Sequence, residues 1–257
     1  AASLAWLLVN PDVTAALATI PVAASLYVCL AVLAHRGKAT ALLNLATGLV
    51  KGADLPLRDI KPEALAATAF MTVAAVLAPI WTALLIERLG LPATAHPYTI
   101  LAWAFAFALA GHLLLGRSDR LYRLLFLGFG IILGAISTIV SLASYVNAIP
   151  VFVTKAEVLP ALYGAAALAL LYRFLTQSRA PLYVAAGFLT LPFVLTLDWL
   201  GVSTIRWGTP LMGLASIYFA LAVMPRMRLS VQDAQALRVS GIGVSFIALA
   251  CTALWVL

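Results

Sequence analysis

The chain has 257 residues, of which 64% are hydrophobic and only 10% charged, against roughly a quarter charged in an ordinary water-soluble domain. That balance excludes a soluble globule and selects a membrane-embedded helical protein, because lipid is the solvent in which helices apolar on every side are stable. The net charge of +7 does not point to nucleic acid, since the basic residues are scattered through short loops and form no stripe with interleaved aromatics.

Taken in chain order, the segments predict an all-α, polytopic membrane helix bundle in one transmembrane domain, with about eight spans. Residues 1–9 are apolar but too short to cross a bilayer and lack a signal peptide's basic start and small-residue cleavage site. They read as an interfacial segment, the remnant of a processed leader, or the end of an earlier span in a longer parent. The first span, near 13–35, is announced by Asn10 as N-cap, Pro11 in the first helical position and Asp12 in the first turn. An apolar stretch at 39–50 follows; it is too short to cross, and Leu42, Leu45, Ala46 and Leu49 recur at helical spacing, so it reads as a short interfacial or re-entrant helix. The second span, 62–86, closes at Glu87, Arg88 and Gly90, where glycine can end a helix.

The third and fourth spans, 97–115 and 124–146, are joined by the basic turn from Gly116 to Arg120 and form a hairpin. The fourth carries Gly130 and Gly134 at GxxxG spacing, then Thr138, Ser141 and Tyr145 at intervals of three or four. Small residues let backbones approach, so this face is expected to pack closely on another helix, or on a second copy or subunit. A polar path along Ser137, Ser141, Ser144 and Asn147 is the alternative. The fifth span, 156–175, opens with Thr154 and Glu157 at capping-box spacing. The sixth covers 181–197, the seventh 210–223 and the eighth 234–257, with Ser230 and Asp233 repeating the capping pattern. Pro79 and Pro192 fall inside spans and are expected to kink them.

Alternating the loops across the membrane leaves only Arg88, Lys155 and Arg206, of 16 basic residues, on the non-cytoplasmic side. Both termini then lie outside, as in a bacterial-type inner membrane. Trp6, Trp81, Trp103, Trp199, Trp207 and Trp255 fall near that same outer boundary, the depth indole rings prefer. Arginine-rich inner loops suit anionic lipid headgroups.

Asp198 is the polar residue with no ready structural role. It closes the sixth span between apolar neighbours, at the helix end whose dipole disfavours a negative charge, and so needs a cation or a proton. Arg206, eight residues on, is the nearest candidate and Lys155 another. With Glu87, His96, Tyr98, Tyr145 and Asn147 they suggest an outward-facing polar mouth. His35 and His112 end their helices at similar depth; a pair of that kind could ligate haem b, and a cation at a helix C-terminus is the structural alternative. Cys29 and Cys251 lie apart within apolar spans and suggest neither a redox pair nor a metal site.

No nucleotide-binding, metalloprotease or nucleophile-elbow motif is present, so soluble-type catalysis is not expected. Three functional readings remain. One is a transporter-like or channel-like bundle; the others are a non-catalytic subunit or quinone-binding anchor of a larger membrane complex, and an enzyme acting on a lipid-linked substrate.

Overall fold

A computed structural model describes residues 13–36, 62–113, 120–176, 178, 180–224 and 230–253. Among these the chain forms eight α-helices and no strand: α1 Val13–His35, α2 Pro62–Arg88, α3 Ala95–Leu113, α4 Arg120–Tyr145, α5 Lys155–Thr176, α6 Ala180–Trp199, α7 Gly208–Val223 and α8 Val231–Ala253. A single 3-10 turn, Thr204–Trp207, leads into α7. The proposed helix start at Asn10–Asp12, the interfacial stretch 39–50, the basic turn after α3, Trp6 and Trp255 lie outside the described residues.

Among the described residues six helices are long and apolar enough to cross a membrane: α1, α2, α4, α5, α6 and α8. The chain is thus an integral membrane helical protein by length and composition. α7 has 16 residues, which at about 1.5 Å per residue reaches roughly 24 Å, short of a hydrocarbon core. α3 has 19, but His96, Pro97, Tyr98, Gly111 and His112 interrupt its apolar run.

The chain divides into two compact units, Ala1–Thr99 with Leu109–Phe129, and Ile100–Ala108 with Gly130–Leu257. In the first, α1 packs along α2 through Ala16, Ile20 and Leu77 at one end and Ala34, Ala66 and Ala67 at the other. Pro21 lies inside α1, so the Leu17 carbonyl four residues earlier has no helical N–H to accept. The indole Nε1 of Trp81 donates to that carbonyl at 3.0 Å. A proline inside a span is tolerated because its neighbour satisfies the freed carbonyl.

In the second unit, α5 packs on α6, and α8 packs on both α7 and α6. The core of α6, α7 and α8 is built from Leu182, Ala186, Leu211, Tyr218, Val244 and Ala248 with their neighbours, and contains no residue of α5. α4 approaches α3 and α5 through its glycines. A Cβ on Gly130 would meet the Tyr172 hydroxyl and come within 2.9 Å of the Ala104 carbonyl oxygen, and one on Gly134 would lie 2.5 Å from Leu168 Cδ2. The GxxxG face is therefore used inside the chain, as close packing predicts.

Helix ends follow backbone rules. Gly90, Asn147 and Gly201 take positive φ of 65°, 59° and 69°, and each closes its helix with the paired bonds of a Schellman turn: Leu91 N–H to Ile86 O, Ala148 N–H to Ala143 O, Val202 N–H to Leu197 O. Asn147 is thereby explained as a helix stop. The expected kink sites Pro79 and Pro192 lie within unbroken helices, as do Pro21 and Pro160.

Candidate functional site

The antiparallel α5–α6 hairpin brings the first residue of α5 beside the last turn of α6. Lys155 Nζ donates to Asp198 Oδ2 at 2.8 Å, and the Tyr145 hydroxyl, from the end of α4, donates to the same oxygen at 2.6 Å. That hydroxyl also lies 3.1 Å from the Leu195 carbonyl. The Lys155 ammonium stands 4.9 Å from the centre of the Tyr145 ring, within cation–π range. The side chains of Lys155 and Asp198 are 49% and 40% exposed. Beneath them, Tyr145, Val158 and Leu162 form a buried apolar floor with Leu142, Phe152 and Leu195 packed against it.

The electrostatics of this cluster run against its own helices. Asp198 sits at the negative end of α6 and Lys155 at the positive end of α5, so each charge is disfavoured by the dipole of the helix that carries it. Across the hairpin the signs invert: Asp198 stands beside the positive end of α5 and Lys155 beside the negative end of α6. Only the tertiary pairing makes both positions tolerable. The second carboxylate oxygen of Asp198 has no hydrogen-bond partner among the described residues.

The partner of Asp198 is thus Lys155, 43 positions away, and not the nearer Arg206. Hairpin geometry outweighs sequence proximity: after Gly201 reverses the chain, Arg206 lies exposed in the 3-10 turn with its backbone N–H bonded to Ser203 O. Glu87 and His96 flank the α2–α3 connection in the other unit, Glu87 exposed and His96 half-buried. His35 is exposed at the end of α1 with its ring edge-on to Tyr122 at 6.0 Å. His112 is exposed in the last turn of α3. Among the described residues no group of three or more His, Cys, Asp or Glu could hold a metal ion.

Of the serine stripe on α4, Ser144 accepts the Phe152 N–H at 2.9 Å and so fastens the α4–α5 loop. Ser141 is fully buried and its hydroxyl has no partner among the described residues. Thr138 donates to the Gly134 carbonyl. Along α6 and its neighbours, Tyr163 pairs with Thr196 at 3.1 Å, and Tyr218 donates to the Ala186 carbonyl at 3.0 Å.

A second ion pair is visible only in three dimensions. Arg173, in the last turn of α5, grips Asp233, in the first turn of α8, with Nε to Oδ1 at 2.8 Å and Nη2 to Oδ2 at 2.5 Å. Ser230 Oγ donates to Oδ2 at 2.8 Å and accepts the Asp233 N–H at 3.1 Å, so the expected cap is formed. At the head of α5, Glu157 supplies the carboxylate half of the expected capping box, accepting the N–H groups of Val153 and Thr154.

Between α4, α5 and α6 lies an apolar groove of about 310 Å³, bounded by Ile131, Gly134, Thr138, Leu168, Tyr172 and Phe188 among others. Compared with protein-family models, curated proteins and solved structures, the chain matches none.

Proposed function

We propose that the chain is a transporter-like or channel-like bundle of eight spans in a bacterial-type inner membrane, with both termini outside and the Asp198 cluster at the outer mouth of a solute path. In this reading α3 and α7 cross as the two shorter spans. One observation carries it: a half-exposed acid and ammonium converge on the hydroxyl of buried Tyr145 at one end of largely apolar helices, and both charges lie where their own helix dipoles oppose them. Departures from local consistency of this kind concentrate at functional sites, and boundary acids in membrane proteins mark solute and ion paths. Asp198 keeps one carboxylate oxygen for a ligand, and Arg206 follows on the same turn of chain.

The test is uptake of a panel of small charged solutes into proteoliposomes, comparing the wild type with Asp198→Asn at matched folded yield. Uptake by the wild type that the variant loses is the expected result. Equal behaviour of the two, or loss of folded yield alone, returns Asp198 to a structural role. Reporter fusions at Ala1 and Leu257 should both appear outside.

A second reading, the membrane subunit or quinone-binding anchor, is favoured by the groove between α4, α5 and α6, whose apolar lining suits an acyl or prenyl chain. Gentle purification distinguishes it: stoichiometric subunits or an extracted quinone support the anchor, and a Soret band would assign His35 and His112 to haem.

A further inference from the structure

The two ends of α5 are held very differently, and the difference suggests how the mouth moves. At one end Arg173 is fixed by two bonds to Asp233, whose side chain is only 8% exposed and whose two oxygens are both occupied. At the other, Lys155 makes a single bond to a carboxylate that is 40% exposed.

Each helix of the hairpin also has a weak point near the mouth. Pro160 stands five residues after Lys155 and cannot bond the Ala156 carbonyl; Pro192 stands six before Asp198 and cannot bond that of Phe188. Around Pro192, Thr190 and Thr196 turn their hydroxyls back onto the Ala186 and Pro192 carbonyls, at 2.8 and 2.7 Å, a pattern that eases helix bending.

We propose that the Lys155 end of α5 and the Asp198 end of α6 form a hinged lid, which bends at Pro160 and Pro192 while the Arg173–Asp233 pair holds the far end of α5 in place. This rests on reading the Asp198 cluster as a mouth, and it assigns as the catch the bonds that Lys155 and Tyr145 make to one oxygen of Asp198. A solute carrying both an acidic and a basic group would compete for each half of the catch and open the lid as it binds.

The lid is tested by thiol accessibility, which requires no solute. With Cys29 and Cys251 replaced by Ser, two single reporters are compared. Ser141→Cys is nearly isosteric, fully buried one turn below Tyr145, and sacrifices no hydrogen bond. Ala236→Cys is buried one turn after Asp233. A small charged methanethiosulfonate reagent should label Ser141→Cys roughly threefold faster when the catch is weakened by Asp198→Asn, with Ala236→Cys unchanged, as expected when one exposed pair no longer biases the closed state. Lys155→Gln removes the ammonium but leaves the Tyr145 bond to Asp198, and should give a smaller acceleration of the same sign, which keeps the test open if the first variant folds poorly. Adding Pro192→Ala should slow the labelling again.

No acceleration at Ser141→Cys in either variant overturns the lid, and so does equal acceleration at both reporters, which marks general loosening. Insensitivity to Pro192→Ala overturns the hinge. Labelling as expected without any solute uptake keeps the lid and removes the transport reading; uptake without the labelling pattern does the reverse.

Discussion

Asp198 and Asp233 are both acids at helix ends paired with a base on α5, yet they sit in opposite electrostatic settings. Asp233 begins α8 and Arg173 ends α5, so each charge is welcomed by its own helix dipole before the two meet. Asp198 ends α6 and Lys155 begins α5, so each is opposed by its own helix and made tolerable by the other. A bidentate guanidinium fork on a buried carboxylate is a fastening. A half-exposed ammonium on one carboxylate oxygen is a contact that a ligand can replace. The same pair of chemical types therefore serves as structure at one end of α5 and as a candidate site at the other.

The contrast can be broken by mutation. Arg173→Ala strands a buried carboxylate and Asp233→Ala a half-buried guanidinium, and each should lower unfolding stability in detergent by about 3 kcal/mol, the cost of removing one half of a largely buried pair. If either variant unfolds at the wild-type denaturant concentration, the fastening role is wrong. Gly130→Ala, which drives a methyl group toward Tyr172 and the Ala104 backbone beside the same end of α5, should cost about 1–2 kcal/mol. Gly134→Ala should cost less, because the flexible end of Leu168 can yield. Gly128→Ala, with no atom within 4 Å of the added carbon, should stay within about 0.5 kcal/mol. Ser230→Ala removes the α8 cap and should lower stability by about 1 kcal/mol, measured in the same unfolding series.

Asp198→Asn and Lys155→Ala should each change stability by less than about 1 kcal/mol, since the pair is exposed to solvent. That small difference should vanish near 1 M salt, where the screening length falls to about 3 Å, while the Asp233→Ala deficit persists. Salt-insensitive destabilisation by Asp198→Asn would show that the two ends are alike after all.

Much of the architecture was legible from residue order. The eight apolar stretches coincide with the eight described helices to within a few residues, because crossing length and hydrophobicity are one-dimensional properties. The stop at Gly90 and the cap at Ser230–Asp233 were legible for a similar reason, being rules about neighbouring residues. The suitability of α3 and α7 as spans was less plain: one is interrupted by polar residues, the other short. Residue order does not rank Pro21 above Pro79 and Pro192, yet Pro21 has the best-defined consequence, the bond from Trp81 to Leu17 O.

Asp198 is legible in the sequence because its charge contradicts its place on the helix, and the sequence offers both Arg206 and Lys155 as its base. Which base it takes was not legible, since Arg206 is closer along the chain. The Arg173–Asp233 grip left no such trace. Each residue obeys the rules of its own helix, and a residue that is locally satisfied gives no hint of a distant partner.

Sequence alone determined which segments are helices and where several of them are capped, because helix formation and capping depend on neighbours a few positions apart. Tertiary structure alone decided which charges meet, which glycine face is filled and which acid keeps an oxygen unpartnered. Those outcomes depend on where separate helices come to lie, and a charge pair at 2.8 Å is set by packing across 43 positions of chain.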